Sequence, residues 1–155
     1  MAPSTDVVSV ERLIPAPPEK IFDLLADPAR HRDIDGSGTV REANAGSERL
    51  ALGSKFGMSM KAGISYSMVS EVIEFDENRR IAWQSKPPSS LGAKLGGGRI
   101  WRYELEPADG GTLVRESWDI SQEAGFSKLL VGRAAKKTAE NMEKTLARIE
   151  ELVTS

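Results

Sequence analysis

At 155 residues the chain has the length of one ordinary domain, long enough to bury a substantial core. Its 21 lysines and arginines against 23 aspartates and glutamates leave a net charge of -2, which excludes a broad electrostatic pull on nucleic acid or anionic lipid. The absence of cysteine excludes disulfides, thiolate chemistry and sulfur-ligated metals together, and is compatible with a reducing cytoplasm. Residues Met1 to Asp6 carry no basic segment leading into an apolar one, and nothing approaches the roughly 18 apolar residues of a membrane span. The expectation is a cytoplasmic protein with no membrane span, no nucleic-acid partner and one domain over 1–155.

Val7, Val8, Val10, Leu13 and Ile14 read as a first strand, which Pro15 ends by withholding a backbone donor. Pro17 and Pro18 suit the first turn of a helix, Glu19 faces the positive end of its dipole, and Ile21, Phe22, Leu24 and Leu25 form one apolar stripe. Asp27-Pro28 stops that helix and opens a second, short one holding His31 to Ile34, which the turn Asp35-Gly36-Ser37-Gly38 ends.

Six extended segments follow: Thr39–Asn44, Lys55–Lys61, Ile64–Phe75, Arg80–Gln84, Arg99–Leu105 and Thr112–Ile120. Ala62-Gly63 and Asp76-Glu77-Asn78 are reversals, and Pro107 to Gly111 makes the last hairpin. With the opening strand this predicts a seven-stranded curved antiparallel sheet. One of its faces needs covering. The cover is the segment from Phe126 to Val153, which predicts a single long helix: Phe126, Leu130, Ala134, Thr138, Met142, Leu146, Ile149 and Val153 recur at three or four residues. The middle of that stripe is small, with Ala134, Ala135, Thr138 and Ala139. It admits either close packing on the sheet or a gap beneath the helix.

Trp83, Trp101 and Trp118 lie on predicted strands, sharing faces with Ile81, with Tyr103 and Leu105, and with Val114 and Ile120. They face inward, either lining a cavity or filling a core. Met58, Met60, Tyr66 and Met68 from neighbouring strands fit irregular core gaps or an irregular ligand. If the last hairpin sets Trp101 opposite Glu116, Arg99 reaches Glu116 diagonally and the two form an inward ion pair; a register one residue away leaves both charges solvated. Thr138 and Asn141 on the long helix are further polar candidates, Asn141 reading as solvent-facing. His31 is the only histidine and reads as a surface residue at a helix end, so histidine-based acid/base catalysis would have to run through it. Gly36-Ser37-Gly38 lacks the strand-to-helix elbow of a catalytic serine. Gly92 to Gly98 lacks phosphate-loop spacing and leads into a strand. No metal-ligand cluster and no cofactor motif is present.

With Pro17 to Pro28, Trp101-Arg102-Tyr103-Glu104-Leu105-Glu106-Pro107 and Gly111-Thr112-Leu113-Val114, the chain resembles the START-like or Bet v 1-like (SRPBCC) superfamily. Within it, the chain is most similar to bacterial polyketide cyclase/dehydrase-type proteins. The likeness covers about Asp6 to Leu152. Relatives often carry a tryptophan late in the second helix, where this chain has Ile34. The resemblance implies an α+β helix-grip fold, with two short N-terminal helices and a long C-terminal helix enclosing an apolar cavity. It also implies a hydrophobic small-molecule partner such as a lipid or polyketide, with Met58, Met60, Tyr66, Met68, Trp83, Arg99, Trp101, Tyr103, Glu116, Trp118, Thr138 and Asn141 as ligand-binding candidates. Two other readings stand beside simple binding. One is an enzyme that shapes a bound poly-β-keto chain with Tyr66, Arg99 or Glu116; the other is a protein-interaction module. On any of the three readings a monomer or homodimer is expected.

Overall fold

The computed structural model describes residues 6–34, 40–43, 49–62, 64–86, 98–122 and 134–154, with the backbone alone at 32, 40–43, 58–62, 64–68 and 86. Strand β1 (Val7–Ile14) is followed by helix α1 (Pro18–Leu25), a 3-10 turn (Pro28–Arg30) and the short helix α2 (His31–Ile34). Then come β2 (Val40–Ala43), β3 (Lys55–Ala62), β4 (Ile64–Asp76), β5 (Arg80–Lys86), β6 (Arg99–Ala108), β7 (Gly111–Asp119) and helix α3 (Ala135–Thr154). The predicted start of the last helix at Phe126 and the glycines from Gly92 to Gly97 lie outside the described residues.

The seven strands form one antiparallel sheet in the order β1-β7-β6-β5-β4-β3-β2. The first strand therefore joins the last, and β2 begins at the opposite edge. At about 4.8 Å per strand, the segment holding α1 and α2 must cross nearly the whole width of the sheet. It crosses on the concave side, and Ile21, Phe22, Leu24 and Leu25 bury the stripe read from the sequence. Each fully buried side chain of this kind contributes about 1.5–3 kcal/mol. Asp27 caps the turn that follows by accepting from the Ala29 N–H at 3.0 Å. Ile34 is buried in the same core.

Curvature has a local source in β4. Val72 pairs with Trp83 but Glu74 pairs with Ala82, so Ile73 is the extra residue of a bulge. Helix α3 buries Met142, Thr145, Leu146, Ile149 and Val153, whereas Ala134 is exposed just before its start. Its C-terminal half is fastened from three elements. Arg12 of β1 pairs with Glu150 at 3.1 Å, Lys20 of α1 donates to the Val153 carbonyl at 3.3 Å, and Arg148 donates to the Asp33 carbonyl at 3.2 Å. Lys20 also places positive charge at the negative end of the helix dipole.

The outer face of the sheet is a lattice of opposite charges. Along one cross-strand row stand Glu11, Arg115, Glu104 and Arg80, alternating in sign. Arg115 pairs with Glu11 and Arg80 with Glu104, each at 2.8 Å. One row away Arg102 grips Glu74 through two hydrogen bonds, the first from Nε to Oε1 at 2.9 Å. Those bonds hold the Glu74 carboxyl below its ordinary pKa and the Arg102 guanidinium above its own.

The last hairpin turns through Asp109 and Gly110, and a Cβ at Gly111 would sit 2.0 Å from the Ile14 carbonyl oxygen and 2.8 Å from Pro15 Cα. Gly111→Ala is expected to cost about 2 kcal/mol or more, lowering Tm by about 5 °C. Gly110→Ala, with a φ of +87° but open space around it, costs about 1 kcal/mol. Thermal denaturation of the two variants checks that order. Because the Glu74 pKa is lowered by folding, its stabilisation is present at neutral pH and is lost as pH falls through the folded value. Glu74→Gln is expected to cost on the order of 1 kcal/mol at pH 7. The gap to the native protein should close well below the ordinary glutamate value of about 4.3, as read from urea midpoints across pH.

Candidate functional site

Side chains alternate across a strand, so one register position on every strand forms a row across the concave face. Val8, Trp118, Trp101, Trp83 and Val72 make such a row through β1, β7, β6, β5 and β4. All three tryptophans thus stand side by side on the inner face. Trp101 and Trp118 have ring centroids 6.3 Å apart at 40°. Trp83 and Trp118 are buried, whereas Trp101 is half-buried and packs against both hydrophobic clusters of the interior.

The next row inward is Val10, Glu116, Tyr103, Ile81 and Phe75. Here the structure corrects the expected register. Trp101 faces Trp118 and Tyr103 faces Glu116, two residues along from the predicted pairing of Trp101 with Glu116. The face of every residue is unchanged by a slip of two, but the partner differs. The Tyr103 hydroxyl donates to Glu116 Oε2 at 2.9 Å, and Glu116 is only 2% exposed. Arg99 is instead half-buried one row outward from the tryptophans, where its register neighbour is Ser85. In that outer row the buried Ser70 and Ser85 hydroxyls are bonded at 2.7 Å, and Phe56 completes it on β3.

His31 is the second correction. It is 7% exposed and no surface residue. Its ring stacks on Trp83 at 4.8 Å and 20°, meets the edge of Phe56 at 5.5 Å, and places Nε2 2.8 Å from the Leu25 carbonyl oxygen. A carbonyl only accepts, so Nε2 carries a proton. The reason lies in the crossing of the sheet by α1 and α2, which carries a helix-end residue onto the concave wall. No local pattern signals this.

Met58 and Met68 are register partners, as are Met60 and Tyr66, and these positions share the face that holds Phe56 and Ser70; the description there is of the backbone. On α3, Thr138 and Asn141 are half-buried, and the Asn141 carbonyl accepts from the buried Thr145 hydroxyl at 3.1 Å. Thr145 was not singled out by the sequence, though it sits three residues after Met142 on the buried stripe. Ala135, Thr138 and Ala139 are half-buried where Met142 to Val153 are buried. Ala135 packs with the smaller interior cluster, that of Trp118, Ile120 and Met142.

An open groove of about 450 Å³ lies on the opposite, outer face between Glu11, Arg115, Glu104 and Arg80. Its charged walls suit no apolar molecule. Among the described residues there is no group of three or more histidine, aspartate or glutamate side chains placed to hold a metal, and no helix long and apolar enough to cross a membrane.

A first strand paired with the last, two short helices laid over a curved sheet and a long C-terminal helix make up the helix-grip arrangement. Residues 5–154 match the family described as "Polyketide cyclase / dehydrase and lipid transport", and the chain belongs to that family. It is 33% identical over 144 residues to the uncharacterized protein Rv0088 of Mycobacterium tuberculosis, covering 89% of this chain and 60% of that protein. The chain thus spans about three-fifths of the length of that relative. The same fold is seen in protein Ms6760 from Mycobacterium smegmatis, with a TM-score of 0.72, 18% identity and coverage of 97% of this chain and 92% of that one. It recurs in protein CV1439 from Chromobacterium violaceum, with a TM-score of 0.69, 15% identity and coverage of 98% and 99%.

The Tyr103 hydroxyl donates to a carboxyl that is itself buried. Tyr103→Phe is expected to destabilise the protein by about 1–3 kcal/mol. Urea unfolding of the single variants and of the double variant with Glu116→Gln checks it, and a coupling energy near zero would refute the pairing.

Proposed function

We propose that the protein binds a hydrophobic small molecule, a lipid, polyketide or similar, between the concave face and the N-terminal half of α3. The observation that carries this reading is the row of three tryptophans on the inner face, with Trp101 half-buried in its middle. An aromatic row offers large apolar area at little entropic cost, and a ligand site needs such walls with a few placed polar groups. The helix adds support. Its C-terminal half is fastened at one end of the concave face, and the small residues Ala135, Thr138 and Ala139 toward its other end are half-buried rather than buried. Trp83, Trp101 and Trp118 form the wall in this reading. Tyr103 and Glu116 stand deeper, Arg99 stands at the rim, and Thr138 and Asn141 face the ligand from the helix. Met58, Met60, Tyr66 and Met68 hold register positions on β3 and β4 that continue the same face in this reading. Family membership fits the reading, because the family's description includes lipid transport.

Titration with N-phenyl-1-naphthylamine, an apolar dye that brightens in apolar surroundings, is the direct test. The native protein should enhance its fluorescence saturably and pass energy from tryptophan to dye. Trp101→Ala should weaken that binding about tenfold, the worth of one lost aromatic contact. Native mass spectrometry should show a small-molecule adduct on freshly purified protein. A bare chain that leaves the dye dark would refute the reading.

A further inference from the structure

We infer that the occupant of this site carries a hydrogen-bond-accepting oxygen, the carbonyl of a ketone or ester, that is met by the paired hydroxyls of Ser70 and Ser85. The inference rests on the reading of the concave face as an apolar ligand site and adds the polarity and orientation of what it takes.

Ser70 on β4 and Ser85 on β5 are register partners, and both belong to the concave side because Val72 and Trp83, two residues away on each strand, do. They are 4% and 8% exposed, and their Oγ atoms lie 2.7 Å apart. Two hydroxyls bring two protons. The bond between them uses one, whichever serine donates it, so the second O–H still needs an acceptor. Among the described residues neither hydroxyl makes another hydrogen bond. Phe56 stands beside the pair on β3 and Arg99 on β6, with Val72 and Trp83 one row inward. Phenylalanine and valine have no acceptor, and a guanidinium and an indole only donate. A buried O–H left without an acceptor is destabilising, so an acceptor from outside the chain completes the pair.

A carbonyl oxygen suits that place better than a hydroxyl. It accepts without bringing a proton of its own, whereas an alcohol would add another donor among side chains that already donate. The placement also orients the occupant. Ser85 lies two residues from Trp83 along β5, about 7 Å from the tryptophan row. The His31 ring stacks on Trp83 and meets the edge of Phe56, so the pair borders an aromatic group on its inward side. The apolar body of the occupant then runs along Trp83, Trp101 and Trp118, with its carbonyl turned toward β4 and β5.

The test uses 2-undecanone, a ketone whose oxygen accepts and has no proton to donate. Its infrared carbonyl stretch reports the bond directly, because it falls in wavenumber when the oxygen accepts a hydrogen bond. Bound to the native protein, the ketone should absorb below its position in hexane; bound to the double variant Ser70→Ala/Ser85→Ala, it should return to that position. In displacement of N-phenyl-1-naphthylamine, the ketone should bind the double variant about fivefold more weakly than the native protein, the usual worth of one neutral hydrogen bond. The dye itself should bind the two proteins alike. A native stretch at the hexane position, or equal ketone affinity for both proteins, overturns the inference but leaves the apolar-ligand reading in place. A ketone that does not displace bound dye has the same meaning, as does a lowered stretch that persists in the double variant. Failure of both ketone and dye to bind removes both readings. The native spectrum needs no variant, so the inference stays testable if the double variant fails to fold.

Discussion

The pairing of β1 with β7 is the constraint on which the rest of this structure depends. Once the first strand lies beside the last, β2 must begin at the far edge, and the chain between them has to traverse the sheet. That traverse lays α1 and α2 over the concave face, buries Ile21, Phe22 and Leu25, and stacks His31 on Trp83. The same pairing gives α3 its anchor, because Arg12 on β1 reaches Glu150 while Lys20 and the Asp33 carbonyl hold its other contacts.

The two faces of the sheet divide the work by the alternation of side chains. Outward positions carry Glu11, Arg115, Glu104, Arg80, Glu74 and Arg102, whose signs alternate from strand to strand. Each of these exposed pairs is worth little by itself. Together they keep these outer rows solvated. Inward positions carry the tryptophans and the Glu116 carboxyl, to which the Tyr103 hydroxyl donates.

Much of this was legible in the residues. The β-branched run from Val7 to Ile14, the proline-opened stripe of α1 and the turn at Asp76-Glu77-Asn78 emerge where local chemistry put them, with Asn78 in the left-handed conformation at a φ of 64°. The inward face of Trp83, Trp101 and Trp118 was legible too, because alternation assigns a face. Their partners were not. Ending one strand at Leu105 and beginning the next at Thr112 set the strands two residues out of step, whereas Pro107 and Ala108 belong to β6 and pair with Thr112 and Gly111. Proline fits there because Pro107 is exposed near the end of the ladder. A shift of two preserves every face and exchanges every partner, so the Tyr103–Glu116 bond was hidden behind a proposed pair with Arg99.

Local sequence chemistry determined the elements, their order and which side of each strand is apolar, since those follow from the period of the residues and from proline and glycine. It also determined the likeness to a family of small-molecule-binding folds. Only the tertiary structure decided which residues meet: the tryptophan row across β5, β6 and β7, the bond from Tyr103 to Glu116, and the burial of His31 against Trp83. The physical reason is that register and crossover are set by contacts distant in sequence. The pairing of Val7 with Asp119 joins residues far apart along the chain, and no local pattern in either segment records it.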